Sequence, residues 1–537
     1  MLDPSNHSNL SYPRINIREQ QRRAAVERHH ARLDERLPSL DEMPRVVPKS
    51  SAQLEGGIIV AHDDPGASAA LGSLCEIVHP NSPESAETTV NPDDPAFSNP
   101  STDSVRLRYR LQDIAKRVMT TPHWQTEEEA RRIQQGKLPR ICNCQRTVIN
   151  SNSNTGKDNP NGQVAVYKSG KGSAGHYGNL QTCGSVWICA VCGAKITERR
   201  AEEVSVACRT WAAEAPGGCT VMVSTTIPHY HDDSLADLRY HLMYARRRMK
   251  DQKPLKRQPG FNCYQDILAR YGIEGSVTAI EVTYGQNGWH PHSHELYFSN
   301  RTLSDGELQE LEADLTTAWI RAVDKRGKLL DRFRGEDVRD GLDKRQRILQ
   351  DMQEHSVDVR RAKSAADYIS KMGFVDYDLH KDLLHGGWGF AQELTKAHLK
   401  KSRRKGMSPW DLLRMIDANP GDRQVWGRCA YLFREYADVF QGKAQLFWSK
   451  GFKARLGIAE VSDEEIAAET DSNPSEVIGH LDADEWAVVR KNKLRARVLI
   501  LAQLKPFEYI KNYINAYTLP DGKSRGKPHE KSRERET

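Results

Sequence analysis

The stretch AIEVTYGQNGWHPHSHELYF, residues 279–298, decides how this chain is read. Two runs of alternating character, Ser276–Tyr284 and Trp289–Phe298, flank Gly285-Gln286-Asn287-Gly288, the pattern of a β-hairpin. Side chains alternate faces along a strand, so His290, His292 and His294 share one face. An even-residue turn pairs positions whose numbers sum to an odd value. A Gly285–Gly288 loop therefore sets Glu281 opposite His292, and a two-residue Asn287-Gly288 loop sets it opposite His294. Either register brings the carboxylate to the histidine face, with directly opposed Cβ atoms ~4.5–5.5 Å apart. Glu281, His292 and His294 then form a three-ligand site for a divalent cation, with open coordination positions through which the ion can polarise a scissile phosphate. The competing reading is three ordinary hydrogen-bonded surface histidines.

Around the hairpin, Ala194–Glu214 has a helical apolar stripe stopped by Pro216-Gly217-Gly218, and Cys219–Ile227 (CTVMVSTTI) reads as a strand. Ser234–Lys250 is an amphipathic helix; further helices are expected at 304–323, near 358–373 and at 408–417. Strands joined by hairpins and mixed with helices point to an antiparallel α+β fold. In residues 1–105, Arg18–Arg36 suits a charged helix, and Val47–Ser104, rich in Pro, Ser, Asp, Gly and Asn, reads as a disordered arm. The expected organisation is this arm, a cysteine-bearing segment with its connecting helix over 106–215, a catalytic domain over 216–405, a helical region over 406–515 and a charged tail over 516–537.

Ser364–Gly373 (SAADYISKMG) has helical character, and Tyr368 and Lys371 fall three apart on one face. A phenol beside a metal-bound phosphate can attack phosphorus and conserve the bond as a phosphotyrosine, and an adjacent ammonium would stabilise the phenolate. Taken alone, a tyrosine on such a helix is ordinarily a core residue.

Of ten cysteines, Cys142, Cys144, Cys183, Cys189 and Cys192 crowd together. One CxxC knuckle, Cys189–Cys192, with further thiols upstream is the pattern of a structural Zn²⁺ site. The Cys142-x-Cys144 spacing is tight enough that one of that pair is expected to ligate, with His176 a possible substitute; the alternative is buried free cysteines.

The 537 residues carry 78 Lys+Arg against 72 Asp+Glu, a net charge of only +6, so charge clustering rather than total charge must signal a polyanionic partner. No run approaches the ~20 apolar residues of a membrane span, and the first residues lack a secretory h-region; a cytoplasmic location is the expectation. Ala245–Arg257 and Lys396–Lys405 are the densest basic stretches. Lys195, Arg199 and Arg200, and Lys400, Lys401, Arg403 and Arg404, are the candidate DNA contacts, against the ordinary reading of such runs as solvated faces. Gln441–Lys453 interleaves Phe447, Trp448 and Phe452 with lysines, suiting either a base-stacking surface or an amphipathic core segment.

Taken in order, AIEVTYGQNGWHPHSHELYF, CGSVWICAVCGAKITERR, ADYISKMG, WGFAQELTKAHLKKSRRKGMSPWDLL and QLFWSKGFKARLG resemble the single-tyrosine rolling-circle plasmid replication initiators of the HUH endonuclease superfamily. The resemblance runs from about residue 135 to 460. It implies a ferredoxin-like or RRM-like antiparallel sheet, Mg²⁺ or Mn²⁺ on His292 and His294 and a nucleophilic Tyr368 with Lys371 beside it. It also implies DNA as partner: nicking at a plasmid double-strand origin leaves a 3′-OH for a host polymerase, with a host helicase alongside. VSTTIPHYHDD (223–233) resembles the family's first motif. The sequence departs from the family pattern at Ser293, usually hydrophobic, at Ser364, where some relatives place a glutamate, and at Ala190, often proline. Asp367 and Glu393 are then candidates for the terminating group. The rivals are an HUH transposase, a mobilisation relaxase, a zinc-stabilised DNA-binding regulator and a metal-dependent phosphoesterase.

Overall fold

The computed structural model describes residues 100–121, 127–149, 151–152, 157–159, 161–169, 175–251, 263–324, 344–362, 407–468 and 475–518. The fold is mixed α/β with antiparallel sheets. In chain order the strands are β1 (Ser151–Asn152), β2 (Lys157–Asp158), β3 (Val164–Ser169), β4 (His176–Gly178), β5 (Cys219–Thr226), β6 (Ile273–Gly285), β7 (Gly288–Ser299), β8 (Val357–Arg361), β9 (Leu446–Trp448) and β10 (Ser475–Leu481). The main sheet has the order β8-β5-β7-β6-β9 and the smaller one β10-β3-β4, with β1 and β2 a separate pair.

The long β6–β7 hairpin forms because its strands are rich in β-branched and aromatic residues and its turn is built around glycine. Gly288 has φ +75°, and a Cβ there would lie 2.8 Å from the carbonyl oxygen of His231, so only glycine lets the 228–233 loop close over the turn.

The two faces of the main sheet are covered differently. Val221, Val223, Ile280, Val282, Tyr284, Trp289 and Tyr297 join the largest core with the Leu235–Lys250, Asp305–Asp324, Pro409–Ala418 and Arg423–Phe440 helices. On the other face Val277, Ala279, Leu296 and Phe298 pack against Ala201, Val204, Ala207, Cys208 and Trp211 of the Ala190–Glu214 helix. The histidines occupy the continuation of this second face. A separate core joins β3, β4 and β10 to the Ala483–Lys491, Arg495–Leu504 and Phe507–Asn515 helices and to Val105 and Tyr109 of the Pro100–Thr120 helix.

Four expectations change. Residues 100–105, assigned to the arm, are helical, because a helix starts at Pro100, a residue suited to a helix's first turn; the rest of the assigned arm lies outside the described residues. Residues 357–361, expected in a helix near 358–373, form β8, which pairs antiparallel with β5 from Val357↔Thr225 to Arg361↔Val221; the rest of that expected helix, with Arg18–Arg36, lies outside the described residues. The region 406–515, expected to be helical, also supplies β9 and β10, each an edge of a sheet begun far upstream. Residues 150–162 (NSNSNTGKDNPNG), whose polar composition alone reads as a long loop, hold the small β1–β2 pair.

Candidate metal centre

In the β6–β7 ladder Gly285 pairs with Gly288 and Glu281 with His292, the register of a four-residue turn. Across β7, Thr226 pairs with His292 and Ser224 with His294, so the ligand candidates sit mid-sheet with hydroxyl residues beside them. The Nε2 atoms of His294 and His292 lie 3.1 and 3.4 Å from Glu281 Oε2. One ligand atom from each of the three residues falls within 4.8 Å of the others.

Hydrogen bonds on the far side of each ring set its orientation. His292 Nδ1 is 3.2 Å from the carbonyl oxygen of His290. A carbonyl only accepts, so Nδ1 donates this bond, which leaves Nε2, on the Glu281 side, as the nitrogen that would ligate an ion. His294 Nδ1 is 2.9 Å from Ser224 Oγ, which favours the same tautomer when the hydroxyl accepts. Lone pairs converging on one point repel unless a cation lies between them. Ligand atoms at right angles around an octahedral ion at about 2.1 Å lie about 3.0 Å apart, close to the observed separations. Two imidazoles and one carboxylate therefore fit a divalent ion with open positions.

His290 shares the face but stays outside this group. Its Nε2 is 2.6 Å from Thr226 Oγ1, and its ring stacks on His229 at 4.7 Å. Burial, then the neighbouring His292 and His229 rings, pushes its pKa down to about 3, so it is a neutral spacer. His229 Nδ1 in turn lies 3.0 Å from the Asn287 carbonyl oxygen, tying the 228–233 loop to the hairpin tip.

Ser293, between the two histidines, points to the opposite face, where it accepts from Arg246 Nη1 at 2.7 Å and lies 2.6 Å from Thr225 Oγ1. Arg246 Nη2 donates to Thr278 Oγ1 at 2.8 Å. Beside them Glu295, fully buried, takes Lys250 Nζ at 2.8 Å and Ser276 Oγ at 2.9 Å. Burial alone would raise its pKa, but Lys250 and Arg246 hold the carboxyl down at about 2. A polar residue at 293 is thus matched by a guanidinium on the helix behind it. Sequence reading missed this pairing because nothing local links 246 to 293.

The second cluster consists of Cys144, Cys183, Cys189 and Cys192, all buried, with ligand atoms within 4.8 Å of one another. Their Sγ···Sγ separations include 3.4, 3.6 and 3.7 Å. Four thiolates around a tetrahedral Zn²⁺ at about 2.3 Å lie about 3.8 Å apart, so the set could hold zinc. Cys142 is the correction: it is buried but outside the four, because in the one-turn Arg140–Asn143 helix it turns into the core. Burial raises its thiol pKa. His176 stacks on Tyr167 at 4.5 Å and belongs to β4. Burial would also raise Cys189, but the other three thiols and the Cys192 backbone N–H hydrogen-bond to its sulfur and hold it well below the ordinary range. Cys189 caps the 25-residue Ala190–Glu214 helix, whose N-terminus favours a thiolate. Gln112 Nε2 donates to the same sulfur at 3.2 Å.

Tyr368, Lys371, Lys400, Lys401, Arg403 and Arg404 lie outside the described residues. Arg200 is 13% exposed and ion-paired to Glu203 at 2.9 Å and Asp463 at 2.8 Å, and Arg199 pairs with Glu202 at 2.8 Å. Lys195 is half-buried near the helix start. Phe447 and Trp448 belong to edge strand β9 and Phe452 is buried against Trp211 and Phe298, so that segment is core and sheet edge.

No family model matches the chain, and no solved structure does. The chain is 26% identical over 365 residues, 59% of its own length and 74% of the relative's, to a Streptomyces lividans protein named "Protein rep".

Proposed function

We propose that this protein initiates rolling-circle replication of a plasmid, nicking one DNA strand in a divalent-metal-dependent reaction and keeping the cut end as a 5′-phosphotyrosine. The observation that carries the reading is the Glu281, His292 and His294 group, whose Nε2 and carboxylate atoms converge on a partly exposed sheet face. The relative named Protein rep supports the replication role, and the main sheet is consistent with the HUH-type antiparallel platform.

On this reading Mg²⁺ or Mn²⁺ at the three residues would polarise the scissile phosphate. Ser224 and the His290 carbonyl keep the imidazole Nε2 atoms facing it. The Tyr368 oxygen would attack phosphorus as its phenolic proton is lost to solvent, the P–O3′ bond would break, and the leaving oxygen would take a proton back from solvent to become the 3′-OH. Lys371 stabilises the phenolate. The segment with Tyr368 follows β8 directly, and β8 pairs with the strand that carries Ser224. The four cysteines would hold a structural zinc that fixes the start of the helix covering the histidine face. Lys195, Lys400, Lys401, Arg403 and Arg404 are the remaining candidate DNA contacts, and the boundaries at 215/216 and 405/406 the working domain limits.

The test is to incubate the protein with a labelled single-stranded origin oligonucleotide and Mn²⁺. A covalent band that resists denaturation is expected from the wild type and absent from Tyr368→Phe. A nicked product with no covalent band would make the protein a phosphoesterase; binding with no cleavage would make it a regulator.

A further inference from the structure

The Leu235–Lys250 helix turns Leu235, Leu238, Leu242, Ala245, Arg246 and Met249 inward. Its outer face carries Tyr240, Tyr244 and Arg247 at i, i+4 and i+7, one continuous stripe. Tyr240 is 61% exposed, which leaves its ring face open to a ligand. The two tyrosine rings are near parallel, 15° apart with centroids at 5.9 Å. The guanidinium carbons of Arg247 and Arg248 lie 5.5 and 5.4 Å from the Tyr244 centroid. Arg248 also donates to the Tyr244 hydroxyl at 3.0 Å. The result is a pre-ordered ladder of two rings and two cations on the solvent side of the helix, which closes on Asp251.

We infer that this ladder is a binding surface for single-stranded DNA. Rings stack on base faces, which a duplex keeps covered and a single strand offers, while the arginines neutralise phosphates. A protein partner would find little contiguous apolar area here, and an acidic peptide would use the arginines without needing the exposed ring. The surface is also well placed. The backbone N–H of Leu235 and the indole N–H of Trp289 bind the two oxygens of one carboxylate, Glu435, at 3.2 and 2.8 Å. The helix therefore starts at the hairpin tip, and Tyr240 is five residues on, about 7.5 Å along the axis. A strand leaving the metal-binding face over the tip meets the ladder on the other side of the sheet. The inference rests on the proposed single-strand substrate and adds to it a second contact, remote from the metal.

The test is fluorescence anisotropy with a labelled oligothymidylate and the full chain. Tyr240→Ala should weaken binding between about fivefold and a hundredfold, the range of one lost base stack, and Tyr240→Phe should restore it. Arg247→Ala should lower the slope of log affinity against log salt by about 0.7. Unchanged affinity in Tyr240→Ala, a loss confined to duplex DNA, or absence of single-strand binding by the wild type would each overturn the inference. Nicking is scored separately. Cleavage by the wild type with unaltered binding in Tyr240→Ala rejects the ladder and keeps the proposed chemistry; weakened binding in Tyr240→Ala without any wild-type cleavage does the reverse.

Discussion

What occupies the second nitrogen of His292 and His294 sets how each ring presents the first. Each Nδ1 has a fixed partner, the His290 carbonyl or the Ser224 hydroxyl, so each ring presents Nε2 without a search through rotamers. His292→Ala or His294→Ala should therefore abolish Mn²⁺-dependent nicking while DNA binding in a gel shift persists; cleavage by the double variant would remove the metal from the mechanism. Ser224→Ala should be milder, weakening Mn²⁺ affinity by about 10- to 100-fold, the usual effect of losing an outer hydrogen bond to a ligating histidine. Titration followed by electron paramagnetic resonance reads this directly. At this scale the sequence was informative where chemistry is local: alternation and turn parity bring Glu281 to the histidines. It was silent about Ser224 and Thr226, whose contacts depend on a strand some seventy positions away, and about Gln112, seventy-seven positions from the sulfur it reaches.

The hairpin and the Leu235–Lys250 helix form a unit through polar groups as well as apolar ones. Arg246 is 6% exposed and Glu295 1%, and their charges are 3.5 Å apart. Without Arg246 the buried Ser293 and Thr278 hydroxyls lose their donor while Glu295 keeps Lys250, so Arg246→Met should cost about 1–3 kcal/mol, measured as a lower urea midpoint. A second element-scale expectation concerns Gly275, beside the irregularity where β6 pairs with β7. A Cβ there would lie 2.2 Å from the Phe452 ring, so Gly275→Ala should destabilise by about 1–3 kcal/mol through overpacking. The elements legible in the sequence were those with strong periodicity, the hairpin and the helices at 190–214 and 235–250. β8 was misread because VDVRR is short and runs straight into a helix-like pattern; only pairing with β5 makes it a strand. The Pro100–Thr120 helix was missed because its polar first turn continues the composition of the preceding stretch.

Across the whole molecule, the cysteine cluster sits where the parts meet. Gln112 bridges the Cys189 sulfur and Arg495 Nη1, the latter at 2.6 Å, and Arg495 Nη2 pairs with Asp113 at 2.7 Å. Arg146, two residues beyond Cys144, pairs with the same Asp113. Elemental analysis should find one zinc per chain. Chelation should lower the melting temperature and open both the Ala190–Glu214 helix and the 483–515 helices to protease; loss confined to one of them would separate the cluster from the other. Gln112→Ala should speed zinc release to a chromophoric chelator without altering stoichiometry. No helix among the described residues is long and apolar enough to cross a membrane.

The pairing of β10 with β3 joins Leu481 to Val164 and Ser475 to Ser169, a closure that spans most of the polypeptide and is correspondingly slow to form. During synthesis the ribosome must add more than three hundred residues beyond Val164 before β3 gains that neighbour. A product terminated early would keep Val164 and Val166 on a bare edge open to chaperones, proteases or aggregation. Arrival of β10 thus becomes a checkpoint on this part of the architecture, written into the distance between two short strands.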